Sequence, residues 1–203
     1  MNIVAIARNF ALRFTMNRFP RLYWELRASD IDQKWGHDTH DHALMQSIIE
    51  KIQPRVILDI GCGTGRMFPV FVAAQIPEIV GQDVSHWALK QVKQRFPSST
   101  ITVTSTDLEA LDYPRRHFDL IVSNRVLSAV PPSDISRVLG HLLPMTRYIY
   151  LNEFSNTDPG NESSTWFRHN YHTILDSLCE YHVELAGQLG SQHYELLAID
   201  RIL

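Results

Sequence analysis

Short apolar runs recur along the chain from residue 55 onward. RVILDI (55–60), EIVGQD (78–83), TITVTS (100–105), FDLIVSN (118–124) and RYIYLNEF (147–154) have the length and the β-branched content of strands. The segments 64–74, 85–96 and 133–143, which separate several of these runs, have helical spacing of apolar positions instead. Strands that alternate with helices predict a mostly parallel sheet with helices on both faces.

The C-terminal part of the chain follows a different pattern. HVELAGQL (182–189) and YELLAIDRIL (194–203) are separated by only GSQH, which leaves no room for a helix and predicts an antiparallel hairpin. The predicted fold class is therefore α/β, with a doubly wound, mostly parallel, Rossmann-like sheet that closes with an antiparallel C-terminal hairpin. We expect residues 54–203 to form this core and residues 1–53 to form an N-terminal helical cap or lid.

Residues 1–24 contain four arginines and no acidic residue. Ile3, Ala7, Phe10 and Phe14 recur at three-to-four spacing, which predicts an amphipathic helix. We interpret this segment as a helix that packs on the domain or covers its ligand site. A helix on a membrane surface is one alternative, and an organellar transit segment, although poor in serine, is another.

Composition narrows the function class and the compartment. The 203 residues are 44% hydrophobic, which suits one globular domain, and the net charge of -3 lacks the basic excess of nucleic-acid-binding proteins. Cys62 and Cys179 are far apart in sequence, which argues against a disulfide framework and favours a reducing, cytoplasmic location. No apolar run approaches the ~20 residues that span a bilayer. The oligomeric state stays open.

The stretch VILDIGCGTGR (56–66) predicts a small-molecule site. Its strand ends in a GxGxG turn, where glycines without a Cβ let backbone approach a ligand and the next helix points N–H groups at it. Asp83 ends the second strand 22 residues after Gly61, where a carboxylate can accept both hydroxyls of a ribose. Asp59 would repel a pyrophosphate but would suit an ammonium or sulfonium group, which favours S-adenosylmethionine over NAD.

VILDIGCGTGR, VGQDVS, TSTDLEAL and FDLIVSNRVLSAV, in this order and spacing, resemble the cofactor motifs of class I S-adenosylmethionine-dependent methyltransferases. The resemblance covers roughly residues 55–203, and the terminal hairpin matches that family's seven-stranded sheet. It implies S-adenosylmethionine as cofactor. By position it assigns the methionine and ribose portion to the glycine turn, the ribose hydroxyls to Asp83 and the adenine to the residues after strands two and three. The implied cofactor-binding residues are Asp59, Gly61, Cys62, Gly63, Gly65, Asp83, Val84, Asp107, Leu108 and Asn124.

Two methyltransferase classes are excluded by their missing motifs. The Asp/Asn-Pro-Pro-aromatic motif of base-amino methylation is replaced after the fourth strand by Ser123-Asn124-Arg125-Val126, and neither cysteine has the position of a pyrimidine-methylating nucleophile. What remains is transfer to an O or N atom of a small molecule, with a protein methyltransferase as the alternative and with no nucleic-acid partner. The aromatic and amide residues after the fifth strand suit a saccharide-like or cell-envelope acceptor.

A hydroxyl acceptor needs a general base that removes its proton. We predict His169 as this base, with Glu153 or His172 as its orienting partner and with the two histidines one helical turn apart. Solvated helix residues are the alternative for both histidines.

The segment WGHDTHDH (35–42) has three histidines and two aspartates, which could bind a metal ion. Its spacing is unlike that of zinc sites, so we predict no metal and a polar loop ahead of a helix that begins near His42. In the cap, Trp35 could shield the sulfonium and Arg27 could pair with the methionine carboxylate.

Two rival functions use the same fold. A catalytically silent relative would bind the cofactor and act as an interaction partner. An NAD-dependent reductase is disfavoured because the turn is GxGxG and because no Tyr-x3-Lys pair is found.

Overall fold

The computed structural model of the chain describes residues 15, 16, 18–154, 166–189 and 192–203. The positions that predict the N-terminal amphipathic helix, Ile3 to Phe14, lie outside these residues. The structural statements below concern the described part of the chain.

A seven-stranded sheet forms the centre of the fold. The sheet order is β3-β2-β1-β4-β5-β7-β6, in which β1 to β5 pair in parallel and β7 is antiparallel to both β5 and β6. The predicted fold class is confirmed. The strands are β1 Val56–Ile60, β2 Glu78–Gln82, β3 Ile101–Thr104, β4 Phe118–Asn124, β5 Thr146–Glu153, β6 Cys179–Leu189 and β7 Gln192–Ile202.

Helices cover both faces of the sheet. Ile57 and Leu58 are neighbours on β1, yet they belong to two separate buried clusters because successive side chains of a strand point to opposite faces. The apolar runs that predicted the strands follow from this two-sided burial. The helices are α1 Pro20–Trp35, α2 His42–Ile52, α3 Phe68–Ala73, α4 His86–Arg95, α5 Ile135–Leu142 and α6 Tyr171–Leu175.

The helices are shorter than the sequence predicts, and two of them have an identifiable cause. The helix expected over 64–74 begins only at Phe68, because the three glycines before it have positive φ angles and form turns. The last helix begins at Tyr171, because the Asn170 side chain caps it by accepting a hydrogen bond from the Thr173 N–H. His169 therefore lies outside this helix, and the expected one-turn spacing of His169 and His172 is wrong.

The helix predicted to begin near His42 is confirmed, since α2 begins at that residue. The terminal hairpin is also confirmed, although β6 starts at Cys179, three residues before the predicted strand, and its pairing with β7 shifts register twice. No helix among the described residues is long and apolar enough to cross a membrane.

Candidate active site

The turn after β1 is held by the end of β2. The Gly61 N–H donates to the Gln82 side-chain oxygen (3.1 Å), and the Cys62 N–H donates to the Gln82 carbonyl (2.8 Å). A Cβ on Gly61 would lie 2.4 Å from Val126, whereas a Cβ on Gly63 would meet nothing within 4 Å. Gly63 has a φ of 56° and has free space where a side chain would be, so a ligand can approach its backbone from that side.

Asp83 lies beside this open turn. One carboxylate oxygen accepts from the Gly63 N–H (2.9 Å) and the other accepts from the Ser85 N–H (2.8 Å). Burial raises the pKa of Asp83, and the two backbone hydrogen bonds oppose that rise. Each oxygen retains a lone pair, so this carboxylate can still accept the two hydroxyls of a ribose. Val84, which follows, is half-buried.

Asp59 is a buried carboxyl group near the same turn. Its residue is 4% exposed, and no hydrogen bond to its side chain is found within the described part of the chain. Burial raises the pKa of Asp59 to about 8; the nearby charge of Arg66 opposes the shift, and those of Asp83 and Asp41 add to it. A cationic ligand would stabilise the ionised form of Asp59, so this site fits an ammonium or sulfonium group.

Helix α1 lies over the glycine turn. Asp32 accepts from the Thr64 hydroxyl and from both terminal nitrogens of Arg95 (3.0 and 2.7 Å). Glu25 accepts from the Ser85 hydroxyl (2.7 Å) at the start of α4. Arg27 on the same helix has a buried Nε with no hydrogen-bond partner among the described residues. An anionic ligand group such as a methionine carboxylate would satisfy this nitrogen.

A buried polar network joins the loop before α2 to Arg66, which follows the glycine turn, and to the end of β4. Asp41 accepts from both terminal nitrogens of Arg66 (2.6 and 3.0 Å) and from the Asn124 amide nitrogen (2.6 Å). Burial by itself would raise the pKa of Asp41, but Arg66 and Asn124 outweigh it and hold the pKa below its usual range. Asn124 is thus fixed at the end of β4 by a residue of the 35–42 segment. Within the described ranges, no group of three or more His, Cys, Asp or Glu could hold a metal ion.

Glu153 organises the loop that follows β4. Its carboxylate accepts hydrogen bonds from the Ser123 hydroxyl (2.6 Å) and from both the N–H and the hydroxyl of Ser128 (3.0 and 2.6 Å). The backbone N–H groups of Val126 (2.9 Å) and Leu127 (3.1 Å) also donate to it. This buried carboxylate therefore sets the path of the chain at the edge of the crevice.

The two histidines predicted for catalysis have separate partners. His169 is buried, and its Nε2 lies 3.0 Å from the Val130 carbonyl oxygen; burial lowers the pKa of this imidazole. His172 is exposed and lies 2.8 Å from the Tyr181 hydroxyl. No hydrogen bond joins Glu153 to either histidine in the described structure. The catalytic roles of these three residues stay predictions.

The other predicted cofactor residues lie in different environments. Asp107 has a side chain that is 57% exposed and forms an ion pair with Arg21 of α1 (3.0 Å), while Leu108 packs against the buried core. The Cys62 thiol is buried, and burial raises its pKa well above the usual value, so it is not reactive. The Trp35 ring lies against the Arg125 guanidinium, whose carbon is 5.2 Å from the ring centroid.

Sequence reasoning missed three charged residues of this site. Arg66 was part of the quoted glycine motif, but its partner Asp41 is 25 residues away, so the pairing has no local signal. Arg125 follows the fourth strand directly, and a cation at the carboxyl end of a strand was a signal that could have been used.

The fold and the site together define a class: an α/β protein that carries a glycine turn and a strand-end carboxylate at the carboxyl ends of its parallel strands. Residues 57–147 match the family model of a methyltransferase domain. A malonyl-[acyl-carrier protein] O-methyltransferase of Anoxybacillus flavithermus is 34% identical over 84 residues, which are 41% of this chain and 31% of the relative. The chain spans from 31% to 62% of the length of the first curated relatives it matches.

Solved structures with the same fold include methyltransferases. Magnesium protoporphyrin IX methyltransferase of Synechocystis, with bound S-adenosylhomocysteine, matches with a TM-score of 0.71 and 17% identity over 90% of this chain and 99% of that one. Phosphoethanolamine N-methyltransferase 1 of Haemonchus contortus, in complex with phosphoethanolamine and S-adenosylhomocysteine, matches with a TM-score of 0.72 and 16% identity over 89% of this chain and 49% of that one.

The methyltransferase-domain match over residues 57–147 and the shared fold agree with the resemblance to class I S-adenosylmethionine-dependent methyltransferases that the motifs carry. The family resemblance read from the motifs is confirmed, and both of these solved structures hold S-adenosylhomocysteine, the demethylated form of the implied cofactor.

Proposed function

We propose that this protein transfers a methyl group from S-adenosylmethionine to an O or N atom of a small molecule. The observation that carries the proposal is the open Gly63 turn, which has the Asp83 carboxylate on one side and the unpartnered, buried Asp59 nearby. When bound, the cofactor supplies a methyl group on a cationic sulfur. The chain supplies alignment, which contributes on the order of 7–11 kcal/mol when the reacting atoms are well positioned.

Each part of the cofactor has a candidate partner. Asp83 accepts the ribose hydroxyls, and Asp59 faces a cationic group of the methionine portion. Arg27 holds the methionine carboxylate through its unpartnered Nε. Asn124, fixed by Asp41, lies under the methionine portion at the end of β4.

His169 is the proposed general base for a hydroxyl acceptor. In the neutral tautomer whose Nε2 donates to the Val130 carbonyl, Nδ1 is the nitrogen that can accept a proton. Burial lowers the pKa of His169 and so keeps the ring neutral near pH 7, as a base requires. Glu153 acts as a positioning residue in this scheme, because it holds the 126–128 loop beside which Val130 lies.

A measurement of turnover distinguishes an enzyme from a catalytically silent relative that only binds the cofactor. The test incubates the protein with methyl-labelled S-adenosylmethionine and fractions of a small-molecule extract, and measures the S-adenosylhomocysteine formed. Wild type should form it with at least one fraction, Asp83→Asn should lose cofactor binding, and His169→Gln should bind cofactor but turn over slowly. If wild type binds S-adenosylmethionine and no fraction yields product, the silent relative is the better account.

A saccharide-like or cell-envelope acceptor is the finer proposal. It is supported by an aromatic group in which Trp166 lies 5.9 Å from Trp24 and 6.1 Å from Phe154 between ring centroids. Aromatic faces of this kind can stack on a sugar ring. Fractions enriched in sugars and sugar nucleotides should therefore support faster turnover than fractions enriched in amines and free of lipid.

We also propose a cytoplasmic location with contact to a membrane surface through residues 1–24. Phe19, Leu22 and Leu26 are 53%, 52% and 69% exposed and share one face of the chain at three-to-four spacing. The test is co-sedimentation with anionic phospholipid vesicles. Phe19→Ser with Leu22→Ser should release the protein from the vesicles, and equal binding of the wild-type and doubly substituted proteins would contradict the contact.

A further inference from the structure

Arg125 occupies a defined position at the carboxyl end of β4. Its backbone has a left-handed φ of 63°, held by a hydrogen bond from its N–H to the Asn152 carbonyl (2.9 Å), and the loop ordered by Glu153 follows it. In the sheet order, β4 and β5 lie on the side of β1 opposite to β2. Asp83 on the β2 side takes the ribose, so Arg125 lies toward the other end of the crevice, where a methyl acceptor would be bound.

The arginines around this crevice differ in their partners. Arg66 pairs with Asp41, and Arg95 pairs with Asp32, each through two nitrogens. The half-buried Arg125 has no carboxylate or carbonyl partner for its guanidinium among the described residues. The guanidinium carbon lies 5.2 Å from the centroid of the Trp35 ring, which covers a face of the cation.

An unpaired, half-buried cation is costly to retain unless a ligand neutralises it. Three acids lie near Arg125 and act on it only through longer-range charge: Asp38, Asp41 and Glu153. The carboxylates of Asp41 and Glu153 already accept hydrogen bonds from other donors. A guanidinium presents planar paired N–H groups that match the two oxygens of a carboxylate or a phosphate.

We propose that Arg125 binds an anionic group of the methyl acceptor, a carboxylate or a phosphate, with Trp35 covering the other side of the cation. The acceptor is therefore a small acid rather than a neutral molecule. This inference rests on the proposed methyltransferase function, and it names the chemical class of the substrate. The sugar-like acceptor proposed above would then be a sugar acid or a sugar phosphate.

The test uses charged and neutral probes of matched shape. The protein is first saturated with S-adenosylhomocysteine, and the binding of D-glucuronate against D-glucose, and of glycerol 3-phosphate against glycerol, is measured by ligand-observed NMR. The two pairs distinguish a carboxylate from a phosphate as the recognised group. Arg125→Gln removes the charge, Arg125→Lys keeps it without the planar fork, and Arg115→Gln removes an exposed arginine at the amino end of β4 as the matched control.

Wild type and Arg115→Gln should bind at least one charged probe more tightly than its neutral partner. Arg125→Gln should weaken that binding about ten- to hundredfold, Arg125→Lys should weaken it less, and all variants should keep the wild-type affinity for S-adenosylhomocysteine. Charged and neutral probes that do not differ on wild type would overturn the inference. A loss of S-adenosylhomocysteine affinity in Arg125→Gln would also overturn it, because Arg125 would then belong to the cofactor. Failure of wild type to bind S-adenosylhomocysteine would instead refute the proposed function itself.

Discussion

Substituting Asp59 with Asn replaces a buried, ionisable carboxyl group with a neutral side chain of the same shape. The pKa of Asp59 is raised from 3.8 to about 8, chiefly because the residue is buried. Between these values the folded protein holds a proton that the unfolded chain has released. Stability therefore falls as pH rises through this window, and it levels off above pH 8.

The size of the effect follows from the slope of about 1.4 kcal/mol per pH unit for one group. Asp59 ionises in the unfolded chain but not in the folded protein between pH 5 and pH 7. Over these two pH units the free energy of unfolding of wild type should therefore fall by about 3 kcal/mol relative to that of Asp59→Asn. The other ionisable groups are the same in both proteins and cancel in the difference. Because the substitution also removes the partner of a cationic ligand group, Asp59→Asn should bind S-adenosylmethionine at least about tenfold more weakly, a loss of ~1.4 kcal/mol.

The assay is urea unfolding of both ligand-free proteins at pH 5, 6 and 7, followed by titration of each with S-adenosylmethionine. We expect Asp59→Asn to become steadily more stable than wild type as pH rises, while binding the cofactor less well. A pH-independent difference in unfolding free energy would refute the burial argument. Unchanged cofactor affinity would refute the contact between Asp59 and a cationic group.

Three other substitutions test the parts of the site separately. Gly63→Ala should lower the free energy of unfolding by only about 1 kcal/mol, since its Cβ enters free space at a positive φ. Calorimetry should nevertheless detect no binding of S-adenosylhomocysteine, because the Cβ would occupy the space that the ligand needs. Glu153→Gln should lower the free energy of unfolding by about 3 kcal/mol in denaturant titrations, because a buried acceptor of five hydrogen bonds is partly replaced by a donor; unchanged stability would contradict its role in the loop. His169→Gln should reduce kcat by about a hundredfold or more with the acceptor found in the turnover screen, while cofactor affinity stays unchanged; an equal loss of both would indicate a structural role.

The sheet could be predicted because each central strand is buried on both faces, as the opposite packing of Ile57 and Leu58 demonstrates. The approach of Gly63 and Asp83 could also be predicted, because both residues follow strand ends with a characteristic spacing. Helix lengths were less accessible, because one side-chain cap at Asn170 moved the start of α6 past His169.

The polar network of the site depends on contacts that are distant in sequence. Asp41 belonged to a histidine-rich segment whose pattern suggested a loop, and only the fold brings it to Arg66 and Asn124. Glu153 had the position of a catalytic carboxylate, but its hydrogen bonds go to a loop 25 to 30 residues away. Such pairings leave no periodicity or spacing in the sequence.

Binding of S-adenosylhomocysteine and of NAD to the wild-type protein and to Asp83→Asn, compared by isothermal titration calorimetry, tests the central claim most directly. We predict that wild type binds S-adenosylhomocysteine, that NAD gives no heat of binding, and that Asp83→Asn loses most of the affinity because one of the two accepting oxygens becomes an NH2 group that cannot accept a ribose hydroxyl. Binding of NAD, or no binding of S-adenosylhomocysteine by the folded wild-type protein, would contradict the account.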